Sequence, residues 1–193
     1  MDDTEFGFHP AALDRIARDS RALAFTMASD YQTGALLRTL AASKPAGRLL
    51  ELGTGTGLAT AWLLAGMDAA ARLTTVETDP AFAAVARRHL GDDDRVTFVV
   101  GDGAEYLRAG ADGPFDLIFA DAWPGKYEHL DRALGVLRAG GFYVIDDMLP
   151  QPNWPAGHDA HARRLIADLE GRPELALAKL GWSTGLIVAT KRA

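Results

Sequence analysis

Glu51-Leu52-Gly53-Thr54-Gly55-Thr56-Gly57 decides how the rest of the 193-residue chain reads. It completes the apolar run Arg48-Leu49-Leu50-Glu51-Leu52, a short buried strand, and leads into Leu58 to Ala65, an apolar helix. A strand that passes through glycines into a helix makes a sharp turn, and the bare backbone there can approach a ligand closely. Amides at the start of the helix then face that ligand. A tight turn with no ligand is the plainer reading of glycines taken alone.

On either side of this turn, strands and helices alternate. Leu73 to Glu77 is a β-branched strand, Pro80 opens a helix that continues from Ala81 to Leu90, and Val96 to Val100 is the next strand. Ala104 to Ala109 reads as a short helix, Phe115 to Ala120 as an apolar strand, Tyr127 to Leu137 as a helix and Gly141 to Ile145 as the fifth strand. Such alternation indicates βαβ units and a parallel sheet, and near-continuous apolar strands require cover on both faces. Two helices, Ala11 to Phe25 and Tyr31 to Ala42, precede this core. His158 to Leu169 follows it as a helix, then Glu174 to Leu180 and Gly185 to Thr190 as strands joined too closely for a parallel crossover. The three prolines between Leu149 and Gly157 suggest an ordered loop over the top of the sheet. No repeat or linker divides the chain, so 1–193 reads as one domain, with helices in 1–45 and the α/β core in 46–193.

Spacing separates the possible ligands of the glycine turn. A dinucleotide site places glycines at positions one, three and six. Counted from Gly53 the sixth position is Leu58, and counted from Gly55 it is Thr60. An NAD-binding oxidoreductase therefore lacks its third glycine. Glu77, at the end of the second strand, is suited to accept both hydroxyls of a ribose.

At this point a resemblance is plain. The run Glu51 to Gly57 resembles the first motif of the class I S-adenosylmethionine-dependent methyltransferases, Glu77 matches their ribose-binding acid, and Gly101-Asp102-Gly103-Ala104 matches the segment that lies against the adenine. The similarity runs from about Arg48 to the last strands. It implies a Rossmann-like, doubly wound, seven-stranded sheet, mostly parallel with a C-terminal antiparallel strand and with helices on both faces. It also implies that S-adenosylmethionine is held by Glu51, Gly53, Thr54, Gly55, Gly57, Glu77, Thr78, Asp102, Gly103, Ala104, Asp121 and Trp123.

The fourth core strand ends in Ala120-Asp121-Ala122-Trp123-Pro124 and the fifth in Ile145-Asp146-Asp147-Met148. Both ends fall at the carboxyl edge of the sheet, where open α/β folds bind ligands. Three acids there repel one another unless protons or a cation intervene, and hard oxygen donors suit Mg²⁺ or Ca²⁺ better than zinc. The plainer reading makes them capping or loop acids. The pattern is similar to the small cation-dependent O-methyltransferases of the catechol and caffeoyl-CoA type, with Asp121, Tyr127, Gly140-Gly141, Asp146 and Asp147 at the matching positions. That likeness implies a divalent cation on Asp121, Asp146 and Asp147, and an aromatic residue beside the adenine at Trp123. Two positions depart from it. Asp147 replaces an Asn, and the lysine expected three residues after Asp121 is Pro124, with Lys126 two positions further on.

Lys126, Asp121 and His158 are the candidate catalytic residues. A surface position is the plainer alternative for Lys126. His158 and His161 are spaced to share one side of a helix, either as base and acceptor contact or as ordinary surface residues. Trp154 is placed to form a wall for a planar acceptor, while His9 has no supporting context. Met27, Ala28 and Tyr31 fall where the family carries a lid over the methyl donor.

Composition narrows the partners. Formal net charge is −6 with 20 Lys and Arg against 26 Asp and Glu, which disfavours a nucleic-acid backbone as ligand. The cluster Arg87-Arg88-His89 is followed at once by Asp92 to Asp94 and reads as a helix end and turn. Cysteine is absent, which excludes disulfides and thiolate chemistry and fits a reducing compartment. Met1 to Pro10 carries acids rather than an apolar run, so it does not read as a secretory signal, and no apolar stretch reaches membrane-spanning length. The expectation is a cytoplasmic O-methyltransferase for a small hydroxylated aromatic acceptor, with no nucleic-acid or membrane partner. A metal-independent O- or N-methyltransferase is the alternative, and an oxidoreductase the second. The N-terminal helices offer a surface for a homodimer.

Overall fold

The structure, a computed structural model, describes every residue except 1, 3, 4, 6 and 153. The reading of Met1 to Pro10 therefore lies partly outside the described residues, as does one residue of the proline-rich loop. The elements run α1 (Leu13–Ala22), α2 (Tyr31–Ala42), β1 (Arg48–Leu52), α3 (Leu58–Gly66), β2 (Arg72–Glu77), α4 (Pro80–Leu90), β3 (Val96–Val100) and α5 (Gly103–Arg108). Then come β4 (Phe115–Ala120), the single turn α6 (Trp123–Lys126), α7 (Leu130–Gly135), β5 (Leu137–Ile145), α8 (His158–Glu170), β6 (Leu175–Leu180) and β7 (Leu186–Lys191).

Seven strands form one sheet in the order β3-β2-β1-β4-β5-β7-β6. The pairs β1–β2, β2–β3, β1–β4 and β4–β5 are parallel, whereas β7 is antiparallel to both β5 and β6. The chain winds outward from β1 to β3, then returns to place β4 on the other side of β1. That reversal opens a crevice beyond the carboxyl ends of β1 and β4.

Side chains that alternate along each strand build two cores. Leu50, Leu52, Ile118, Ala120, Tyr143 and Ile145 face the side covered by α5, α7 and α8. Leu49, Leu117, Phe119 and Val144 face Ile16, Leu37, Trp62 and Leu63 of the first three helices. Burial on both faces is why the strands read as apolar runs rather than alternating ones. The first two helices close one face of the sheet. At Gly34 a Cβ would stand 2.3 Å from the Trp62 ring, so α2 meets α3 at glycine-only distance.

Most boundaries fall within a residue or two of the sequence reading, and two segments depart further. The first helix stops at Ala22 instead of Phe25, because Ala24 turns left-handed (φ 52°) and the Phe25 amide closes back on the Ser20 carbonyl at 2.9 Å. Tyr127 to Leu137 is not one helix. His129 is left-handed (φ 56°), α7 covers only Leu130–Gly135, and Leu137 already pairs with Phe115 as the start of β5. Apolar periodicity carried the longer helix across a break that one left-handed residue imposes.

Candidate active site

A cavity of about 680 Å³ occupies the crevice at the carboxyl edge of the sheet. Its floor is the turn between β1 and α3. Gly53 sits at φ 100°, and a Cβ there would fall 2.6 Å from the Asp121 carbonyl oxygen, so the turn and the end of β4 touch backbone to backbone. Gly53, Thr54 and Gly55 line the cavity, together with Glu77 and Thr78 from the end of β2.

Glu77 also holds this turn. Its Oε2 accepts the Gly55 amide at 2.7 Å and its Oε1 accepts the Asp79 amide at 2.9 Å. Each carboxylate oxygen has two lone pairs, so acceptor capacity remains for a ligand hydroxyl.

Glu51 lies beneath the turn, fully buried, and is not on the cavity wall. The Thr60 and Thr75 hydroxyls both donate to its Oε2 at 2.5 Å. The Thr75 hydroxyl, its one hydrogen used, is 2.5 Å from the Thr54 hydroxyl, which must therefore donate to it. A relay Thr54 to Thr75 to Glu51 thus ties the glycine turn to the interior. Burial, opposed only in part by these hydroxyls, pushes the Glu51 carboxyl up to about 7, and its Oε1 has no partner.

Asp102, Gly103 and Ala104 are not among the residues that line the cavity. Asp102 caps α5 by accepting the Ala104 amide at 2.7 Å, and Gly103 packs behind Pro124.

The acidic wall comes from the ends of β4 and β5. Asp121, Asp146 and Asp147 all line the cavity, as does Lys126. The turn α6 explains how Lys126 reaches it. Pro124 (φ −61°, ψ 132°) and Gly125 (φ 88°, ψ −22°) have the dihedrals of a type II turn, which reverses the chain and brings Lys126 back over Asp121. Lys126 Nζ is 3.4 Å from Asp121 Oδ1, and the lysine is only 5% exposed. Burial holds the Asp121 carboxyl well above the usual range. Lys126 opposes that rise, while Asp146 and Asp147 add to it. Asp146 is pushed up to about 6, again first by burial. Its Oδ1 accepts the Thr184 hydroxyl at 2.6 Å and the Asp147 amide at 2.8 Å. Asp147 itself is left-handed at φ 58°, a conformation that Asn and Asp tolerate best after Gly. Among the described residues, no three acidic or imidazole side chains stand ready around one ion position.

Aromatic side chains form the remaining wall. The Trp123 ring meets Tyr127 edge-on at 5.1 Å and His158 at 5.8 Å, and Trp154 lies 4.3 Å from His158. Tyr127 is pushed up to about 12 by burial and by Asp147, so its hydroxyl stays protonated. That hydroxyl lies 3.1 Å from His158 Nε2, within hydrogen-bond reach, and burial together with the Lys126 charge lowers the imidazole below its ordinary value. His161 lies against Trp123 and Tyr127 from outside the cavity.

Several contributors had no local signal in the sequence. Thr184, from the turn before β7, reaches Asp146, and the Ser29 hydroxyl donates to Asp121 Oδ2 at 3.2 Å. The Phe25 and Phe82 rings meet at a tilt with centroids 4.7 Å apart, and Phe25 lies against Gly55 of the turn. An apolar ring in the first turn of α4, beside Glu77, was the one available hint. Met27 and Ala28 line the cavity, whereas Tyr31 packs on His9 and Trp62.

The comparisons agree with this geometry. Residues 50–148 match the methyltransferase domain family. The catechol O-methyltransferase of Mycobacterium tuberculosis is 36% identical over 153 residues, which cover 77% of this chain and 70% of that protein. The O-methyltransferase TomG of Streptomyces achromogenes, solved in complex with SAM, superposes with a TM-score of 0.84 at 27% identity over 96% of this chain and 92% of that one. The cofactor-bound protein Rv0187 from MTB superposes at 0.86 with 31% identity, covering 98% and 94% of the two chains. Among the described residues no helix is long and apolar enough to cross a membrane. A family match across the glycine turn and both acidic strand ends, with O-methyltransferase relatives over most of the chain, makes this protein a member of the class I S-adenosylmethionine-dependent methyltransferases, in the branch of small O-methyltransferases.

Proposed function

We propose that the enzyme methylates a hydroxyl of a small aromatic acceptor with adjacent hydroxyls, and that a divalent cation held by Asp121, Asp146 and Asp147 assists. The observation that carries this reading is the placement of three carboxylates, with Lys126 among them, on the cavity that also holds the glycine turn. Burial is the largest cause that raises the Asp121 carboxyl, and the neighbouring Asp146 and Asp147 charges raise it further, a repulsion that a cation relieves. Bound there, such an ion would lower the pKa of a phenolic hydroxyl from its ordinary value near 10. Trp123, Tyr127, Trp154 and His158 supply flat apolar surface for an aromatic ring.

The chain's own groups do the rest. Gly53, Thr54 and Gly55 bring backbone close to S-adenosylmethionine, and Glu77 accepts from its ribose. The acceptor oxygen attacks the sulfonium methyl in line. A C–O bond forms as the C–S bond breaks, the bonding pair stays on sulfur, and S-adenosylhomocysteine leaves. Lys126, as the neutral amine once its own proton has passed to water, takes the hydroxyl proton. Alignment of oxygen, carbon and sulfur provides much of the rate.

The test is turnover of catechols, flavonoids and hydroxycinnamates with labelled methyl donor, with and without Mg²⁺. Methylation stimulated by Mg²⁺ supports the reading, and full-rate methylation after EDTA overturns its cation. A specific observation favours that second, metal-independent reading: the Lys126 ammonium already lies against Asp121.

A further inference from the structure

Tyr143 takes no part in the site as described, yet it is fully buried and its hydroxyl donates to the Gly125 carbonyl oxygen at 2.6 Å. It stands on β5, paired with Ile118 of β4, so its ring is anchored in the sheet core. Gly125 is the left-handed corner of the turn that carries Lys126. A Cβ at Gly125 would lie 2.6 Å from Leu52 Cδ1 and 3.0 Å from the Tyr143 hydroxyl, so the corner is seated directly on both side chains. On the other side the Gly125 amide donates to the Glu128 carbonyl at 2.7 Å.

From this contact we infer that Tyr143 is a positioning residue for methyl transfer: it pins the Pro124–Gly125 turn to the sheet and so sets where Lys126 Nζ stands beside Asp121. Three features support this. The hydroxyl holds the carbonyl of the peptide unit that leads into Lys126. Burial raises the phenol well above its ordinary range, so the group is a permanent donor rather than one that comes and goes with pH. A turn whose corner would otherwise expose an unpaired buried carbonyl has one low-energy seat, and a side chain on that turn inherits its precision. Tyr143 touches neither substrate nor cofactor space, because it is absent from the cavity wall.

The inference rests on the proposed role of Lys126, and a double-mutant cycle separates the two. Tyr143→Phe keeps the ring in the core and removes only the donor. We expect kcat to fall by about 10- to 100-fold, the scale of a small misplacement near reacting atoms. Calorimetric affinity for S-adenosylhomocysteine should stay within about twofold, which also shows that the fold persists. Combined with Lys126→Met, the change should add almost nothing to the loss from Lys126→Met alone, since residues acting as one unit are not additive. Amide exchange in residues 125–128 should quicken in Tyr143→Phe while the central strands stay protected. A tyrosine that serves only general stability would give multiplied losses in the double mutant, and that result overturns the inference. Full kcat in Tyr143→Phe beside a crippled Lys126→Met overturns it alone. Full kcat in Lys126→Met removes the reading of Lys126 and this inference with it.

Discussion

Lys126 Nζ stands 3.4 Å from Asp121 Oδ1 with both side chains largely withdrawn from water, at 5% and 13% exposure. Such a pair is costly to bury without use, because neither charge recovers its full hydration. Lys126→Met removes the amine and keeps most of the apolar stem. Turnover should drop by roughly 10²- to 10⁴-fold, the usual contribution of a positioned acid or base. Affinity for S-adenosylhomocysteine should hardly change. Near-normal kcat would transfer the role of base to another group, with His158 the nearest imidazole on the cavity.

Glu77→Ala addresses the cofactor. Hydrogen bonds to a charged acceptor contribute about 1.5–3 kcal/mol each, so affinity for S-adenosylhomocysteine should fall at least about tenfold. The Gly55 and Asp79 amides lose their acceptor in the same variant, so a lower melting temperature should accompany the weaker binding. Calorimetry that finds unchanged affinity rules Glu77 out of the ribose site.

Asp146→Ala tests the cation. The residue directly follows β5 and its side-chain partners are Thr184 and the next amide, so the sheet should survive its loss. Stimulation by Mg²⁺ should disappear, and equilibrium dialysis should find less bound ion than in the parent. Dialysis that finds no ion on the parent enzyme itself would establish the metal-independent reading.

Glu51 makes a prediction about pH. Its carboxyl is raised from 4.5 to about 7 in the folded protein, so the native state holds its proton more tightly than the unfolded chain. Stability from this group is full below about pH 4.5 and is lost as pH rises towards 7. The swing is on the order of 3 kcal/mol at about 1.4 kcal/mol per pH unit. Melting temperatures of the apo protein across that range should slope downward, and Glu51→Gln should flatten the slope. An unchanged slope in the variant would mean that Glu51 does not titrate there.

The order of elements was legible because the central strands β1, β4 and β5 are buried on both faces and most βα turns carry glycine, proline or an acid. Gly53 and Asp121 were legible for the same reason: backbone contact at a sheet edge demands particular residue types at particular places. Lys126 was a candidate in the sequence, but its reach to Asp121 was not legible, since it depends on one proline–glycine corner that redirects the chain after a strand. Thr184 and Ser29 were beyond reach. Each is a common residue in a loop, brought to its carboxylate only by tertiary packing across 38 and 92 residues of chain. Glu51 was visible as part of a motif, but its place below the turn depends on hydroxyls of Thr60 and Thr75 that no local pattern marks.

The insertion of β7 between β5 and β6 has a consequence for biosynthesis. Strands β1 to β5 can pair in the order in which they leave the ribosome, but β6 emerges with no neighbour to join. It must wait for β7, which is made after it and bridges it to the rest. Until then β5 presents a bare edge, the kind of edge that recruits other chains. Thr184 arrives with β7, so the partner of Asp146 is delivered after the glycine turn is already in place. A nascent chain should therefore gain its nucleotide-binding half early and its acidic half late, with the interval between them the period of greatest exposure to aggregation.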